Sequence, residues 1–331
     1  MTSRISSFKL VRAEMRQMSW LTAVQMLVFM LFFPFRVLMV MAIRQNEKIR
    51  YGQTAYTAVD QFCRSVGLGH MENTLLILLA GGMCALAAFG YVHSSVKQDF
   101  YHSLSLKREE LFGVKYLSST LTFVIAYLIS QVFVILVGLI YQAATPGIML
   151  EIAVASAQGI LFFLCSYSGV LAAIMLTGNY LTTILAVGVF GFYLPILIVL
   201  YEYIKDIFWS TGIQTWFFLD QVWKNTSPWA WCLLSEAEGG MGKTGPLPSA
   251  GNLCQLIAVA AILTLIALAL YRVRRTEAGG SALVFARTEP IVKIMMAVPA
   301  ALVAGLVAYE IFESVLFEIL FMLFFGALVC V

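Results

Sequence analysis

Charge is what this sequence has least of. Only 12% of its 331 residues are Asp, Glu, Lys or Arg, against about 25% in a soluble domain, so a fully hydrated surface cannot be assembled from it. The formal net charge of +3 is too small for a nucleic-acid partner, and no strong basic patch is present. Histidine is scarcer still: His70, His93 and His102 are far apart, with no HxxxH pair. The cysteines form no CxxC. Cys84, Cys165, Cys254 and Cys330 fall in or beside apolar runs, while Cys63 and Cys232 lie in polar loops where they can pair in an oxidising space. No metal-ligand spacing appears, and no paired acid or nucleophile constellation marks an intramembrane enzyme. A nucleotide motif is missing as well. Gly242-Lys243-Thr244 imitates the tail of a phosphate loop, but the first glycine of that motif falls on Ala237.

What the chain does have is apolar length. Hydrophobic residues make up 61% of it, and its mean hydropathy is +0.88. A hydrocarbon core about 30 Å thick takes roughly 20 apolar residues in a helix, and eight such runs are expected, near 20–43, 73–93, 117–141, 149–177, 180–204, 253–271, 291–309 and 314–331. The fold class is therefore an all-α polytopic membrane protein. Residues 1–19 form an amphipathic helix carrying Arg4, Lys9, Arg12 and Arg16, and no small-residue cleavage site follows the first run, so that run is a retained span.

Lys and Arg set the orientation. With the N-terminus inside, Arg4, Lys9, Arg12, Arg16, Lys97, Lys107, Arg108, Lys115, Arg272, Arg274, Arg275, Arg287 and Lys293 fall on the cytoplasmic side, against Arg44, Lys48, Arg50, Arg64, Lys205, Lys224 and Lys243 outside. The bias places the N-terminus in the cytoplasm. Of the ionisable groups within or beside the runs, Arg36 follows Pro34 in the first and is expected to snorkel outward, while Glu310, Glu313 and Glu318 sit around the last turn.

The stretch "QDFYHSLSLKREELFGVKYLSS", residues 98–119, mixes both signs of charge with aromatics between two apolar runs. Phe100 and Leu104, four residues apart, give a short apolar face on a charged turn. Ser105 is placed to cap a second helix that starts at Leu106, passes Lys107, Arg108, Glu109 and Glu110, and continues into the third span. A short helix, a turn and a protruding transmembrane helix are expected. The physics alone leaves an interfacial anchor open as the role of this segment.

Residues 99–112 resemble the segment after the second span in bacterial ABC-2 type transporter permeases, especially a Firmicutes multidrug-exporter-like branch. A second resemblance lies in Tyr271-Arg272-Val273-Arg274-Arg275-Thr276-Glu277-Ala278-Gly279, followed by Ala282 and Phe285. With span order, the likeness covers about residues 1–290. Relatives usually carry Pro where this chain has Ser105; both residues start helices. The resemblance implies a six-span permease domain over 20–271, a cytoplasmic coupling segment over 97–112, a basic linker over 272–290, and two further spans over 291–331.

It also implies an exporter subunit without enzymatic activity of its own. ATP and Mg would bind separate ATP-binding ABC subunits, which dock on Phe100, Tyr101, His102, Leu104, Lys107, Arg108, Glu109 and Glu110. A second permease subunit, identical or not, would complete the path in the lipid bilayer of a bacterial plasma membrane. The loop over 205–252 is dense in aromatics of the kind that favour the membrane boundary. In the resembled family this position holds re-entrant helices, so Trp209, Trp216, Phe217 and Trp223 are expected to cap the path; a plain aromatic belt is the alternative.

A secondary transporter, or another polytopic protein without an ATPase partner, remains the competing class. It should show repeated halves and ionisable groups near the midplane, and neither is prominent here. Because the run from Ser314 to Val331 is barely long enough to cross and no Lys, Arg or aromatic anchor follows it, a longer native chain is expected.

Overall fold

The computed structural model describes residues 7–51, 57–66, 71–103, 106–208, 227, 229, 250–274, 284–285, 289–312 and 314–330. Among them every regular element is helical and there is no strand. In chain order these are α1 (Ser7–Gln17), α2 (Ser19–Met30), a π-helical segment (Leu31–Phe35), α3 (Arg36–Tyr51), α4 (Ala58–Ser65) and α5 (Met71–Phe89). A 3-10 turn (Gly90–His93) follows, then α6 (Ser95–His102), α7 (Arg108–Ile140), α8 (Pro146–Leu176), α9 (Tyr180–Phe208), α10 (Ala250–Val273), α11 (Glu289–Phe312) and α12 (Val315–Cys330).

Among the described residues, five helical stretches are long and apolar enough to cross a membrane: Ser19–Lys48, Glu72–His93, Arg108–Ile140, Pro146–Leu176 and Leu253–Val273. A sixth crossing is completed if the two halves of α9, bent by 45° between Val189 and Gly191, count as one span. This is the architecture of a polytopic membrane protein. The two final runs form α11 and α12. Their apolar stretches, Ala297–Phe312 and Val315–Ala327, are shorter than a crossing, and the two helices pack chiefly on each other as a hairpin.

Local chemistry explains the boundaries. Thr145 caps α8 by accepting from the Ile148 N–H, and Pro146 occupies the first turn, where its missing N–H costs nothing. The α7–α8 turn is a Schellman cap: the Ala143 N–H donates to the Gly138 carbonyl at 2.9 Å and the Gln142 N–H to the Leu139 carbonyl at 3.1 Å. Gln142 holds the left-handed position at φ 53° that glycine usually fills. At 33 residues, α7 is about 50 Å long and must protrude beyond a hydrocarbon core of about 30 Å.

α8 is the centre of the bundle, with α5 and α10 packed on it and α9 beside it, while α2 lies on α7. Its core is a run of rings. Phe123 of α7 stacks on Phe163 of α8 at 3.7 Å, and Phe29, Phe33, Tyr127 and Tyr167 extend the contact sideways and lengthwise. Arg36 donates to the Ser65 carbonyl at 2.7 Å and pairs with Glu72 at 3.5 Å, tying α3 to the end of α4 and the start of α5. A cation at a helix C-terminus and a carboxylate at a helix N-terminus both suit the peptide dipoles.

Candidate functional site

The ends of α5, α8 and α10 meet the starts of α7 and α2 at one end of the bundle, here termed the basic end. α6 lies there. Its eight residues separate two faces: Val96 and Phe100 are 78% and 64% exposed, one helical turn apart, while Gln98 is buried and Tyr101 half-buried. Phe100 is thus free to meet another surface. Tyr101 points inward instead, its ring 4.5 Å from that of Tyr91 and 4.1 Å from the Lys115 ammonium. α7 starts at Arg108, two residues later than Leu106, with Lys107 in extended conformation and no side-chain cap. Lys107, Arg108, Glu109 and Glu110 are all exposed. Leu104 and Ser105 lie outside the described residues, and His102 closes α6.

Lys115 holds the inner face together. It is almost wholly buried, pairs with Glu14 of α1 at 3.1 Å, and lies over the rings of Tyr91 and Tyr101. The ammonium therefore meets one carboxylate and two π-faces, a combination that compensates for lost hydration. Tyr91 in turn shares a 2.8 Å hydrogen bond with Tyr271 at the end of α10.

Arg274 closes the knot from the other side. Its Nη1 donates to the carbonyls of Ile174, Met175 and Thr177 at 2.8, 2.9 and 2.8 Å, and its Nη2 to that of Val92 at 3.1 Å. These acceptors are the orphan carbonyls ending α8 and the turn after α5, where the helix dipole is negative. Burial pushes its pKa down to about 10, which leaves it charged at neutral pH. Arg108 donates to the Arg272 and Arg274 carbonyls, both at 3.3 Å, and Arg272 pairs with Glu109 at 3.0 Å on the surface. Through these contacts the exposed helix α6 is wired to α1, α5, α7, α8 and α10.

Ring contacts continue from this knot into the bundle. Phe100 meets Tyr101, Tyr101 meets Tyr91, and Phe89, Phe112, Tyr116, Tyr167 and Phe163 follow in sequence of contact. Displacement of α6 thus bears on close-packed rings that have little room to absorb it.

A second zone surrounds the bend of α9. Pro195 has no N–H to give the Gly191 carbonyl, and the Ser227 hydroxyl donates to that carbonyl at 2.7 Å. Trp229 is buried against Gly191 and Gly169, in the space that side chains there would fill, with Phe192 at 5.9 Å. Trp209, Trp216, Phe217 and Trp223 lie outside the described residues, as do Cys232 and the Gly242-Lys243-Thr244 turn. Residues that sequence reasoning missed are Lys115, Arg274, Ser227 and Trp229. Pro195 was the available signal for Ser227, because it orphans a carbonyl one turn back. No group of three His, Cys, Asp or Glu side chains converges among the described residues. Comparison of the chain with protein-family models and with curated protein sequences yields no match.

Proposed function

We propose that the chain is the membrane-spanning permease subunit of an ATP-driven exporter of ABC-2 type, with α6 as the element that docks on a separate ATP-hydrolysing subunit. The observation that carries this reading is the division of α6 into an outward apolar pair and an inward side seated on Tyr91 and Lys115, which are themselves bonded to α10 and α1. Such a helix can receive a push on Val96 and Phe100 and pass it to the bundle as a rigid body. Energy comes from ATP and Mg on the partner, and two permeases face each other around the substrate, an amphipathic or antibiotic-like molecule. The positive-inside bias supports a cytoplasmic basic end, the side on which an ATPase of a bacterial cell is available.

Docking anchors in such interfaces are buried aromatics ringed by rim charges of small effect. Val96→Ala with Phe100→Ala should therefore abolish co-purification with the ATPase encoded beside this chain, while Lys107→Ala and Glu110→Ala leave it. Both surface changes should leave the melting temperature unmoved. Normal assembly and ATP turnover of the double variant would show that α6 is not the docking element, and the lack of any neighbouring ATPase reading frame would favour a transporter of another class.

A further inference from the structure

We propose that α1 is a binding surface for anionic phospholipid headgroups, and that its occupancy is linked to the position of α6. The inference stands whether or not an ATPase is the partner. α1 ends one residue before the first span begins, so it lies at headgroup level. Its inner side is committed: Val11 is buried and Glu14 bridges to Lys115 of α7. Its outer side carries exposed Lys9, Arg12 and Arg16, spaced by three and four residues and so on one face. None of these three makes an ion pair or hydrogen bond among the described residues. Phe8 is 74% exposed on the same side. Three uncommitted cations and an aromatic ring at the level of the lipid phosphates match an anionic membrane surface in charge and in depth.

The linkage runs through one ammonium. Lys115 holds Glu14 of α1 at 3.1 Å and the Tyr101 ring of α6 at 4.1 Å, so the seat of α1 and the seat of α6 share a fixed point. A lipid that favours seated α1 therefore favours seated α6, and the dependence is reciprocal.

The test uses the full chain in nanodiscs of phosphatidylcholine alone or with phosphatidylglycerol. Phosphatidylglycerol should be retained in preference to phosphatidylcholine, as read by native mass spectrometry of the protein released into detergent. Lys9→Gln/Arg12→Gln/Arg16→Gln should lower that preference by about 100-fold, at about fivefold per charge. Arg12→Lys/Arg16→Lys should keep it, which guards against a folding defect in the neutral variant. Hydrogen exchange of residues 95–102 should slow when phosphatidylglycerol is added, and the slowing should vanish in Glu14→Gln although the lipid still binds. Equal retention of both lipids, a preference that survives the triple Gln variant, or its loss to millimolar inorganic phosphate would each overturn the lipid surface. Slowing of exchange that persists in Glu14→Gln would overturn the linkage.

Discussion

Replacing Arg274 by Met keeps most of the apolar stem and removes every donor. Four carbonyls, those of Ile174, Met175, Thr177 and Val92, then lose their guanidinium contact. A buried acceptor left without a donor costs about 1–3 kcal/mol, and the low end applies because helix-terminal carbonyls can relax toward water. Four at about 1 kcal/mol make about 4, of which relief from burying a cation returns a part, so the net loss is about 2–3 kcal/mol. For a chain of 331 residues, whose unfolding entropy is about 0.7 kcal/mol/K, that is a fall of about 3–4 °C in melting temperature. Unfolding can be followed in detergent with a thiol-reactive dye, because Cys84 and Cys165 are buried and free; the other cysteines are replaced by Ser beforehand. Arg272→Met is the matched control. Its pair with Glu109 is surface-exposed on both sides, and such pairs contribute about 0–1 kcal/mol. If Arg274→Met melts within about 1 °C of the parent, or no lower than Arg272→Met, the guanidinium is not a structural clip and the reasoning fails.

Two further outcomes test the packing. A Cβ at Gly138 would collide with the Phe62 ring, so Gly138→Ala should lower stability by pushing α4 off α7, and Phe62→Leu in the same protein should restore part of the loss; an additive pair in a double-mutant cycle would refute the contact. Gln142→Gly should raise the melting temperature by relieving the left-handed backbone, a gain of about 1 kcal/mol, and a fall in melting temperature would refute the Schellman cap.

The first six apolar runs were legible because a crossing needs only length and apolarity, which a linear reading measures directly. The existence of a short helix, α6, ahead of α7 was legible for a similar reason, since charge interrupts the apolar pattern there. The inward turn of Tyr101 was not. On a helix of eight residues Phe100 is the more apolar of two adjacent aromatics and so the one a linear reading would turn inward, yet the distant Tyr91 and Lys115 seat Tyr101 there instead. Arg272 and Arg274 pose the same problem in a basic cluster that reads as uniformly interfacial. Two residues turn a helix by about 200°, so the pair must face opposite ways, yet choosing which is buried requires knowing that α8 ends opposite Arg274. Pro195 announced an orphan carbonyl at Gly191, but its donor, Ser227, lies 36 residues away in a stretch read for its aromatics. The packing of the final pair of runs was not legible, because a count of apolar residues says nothing of whether α11 and α12 lie on the bundle or, as here, chiefly on each other.

The π-helical segment Leu31–Phe35 governs the rotational phase of everything that follows it in the first span. A π turn absorbs an additional residue into the path of an α-helix, and each residue advances the azimuth by about 100°. Arg36 is the first residue past it, and it lands facing Ser65 and Glu72. An unbroken helix shorter by one residue would carry the guanidinium about a quarter of a turn or more away, out of reach of both partners and toward hydrocarbon. The segment therefore works as a keyway: it lets the apolar register of α2 and the polar register of α3 be set independently on what is otherwise one continuous rod.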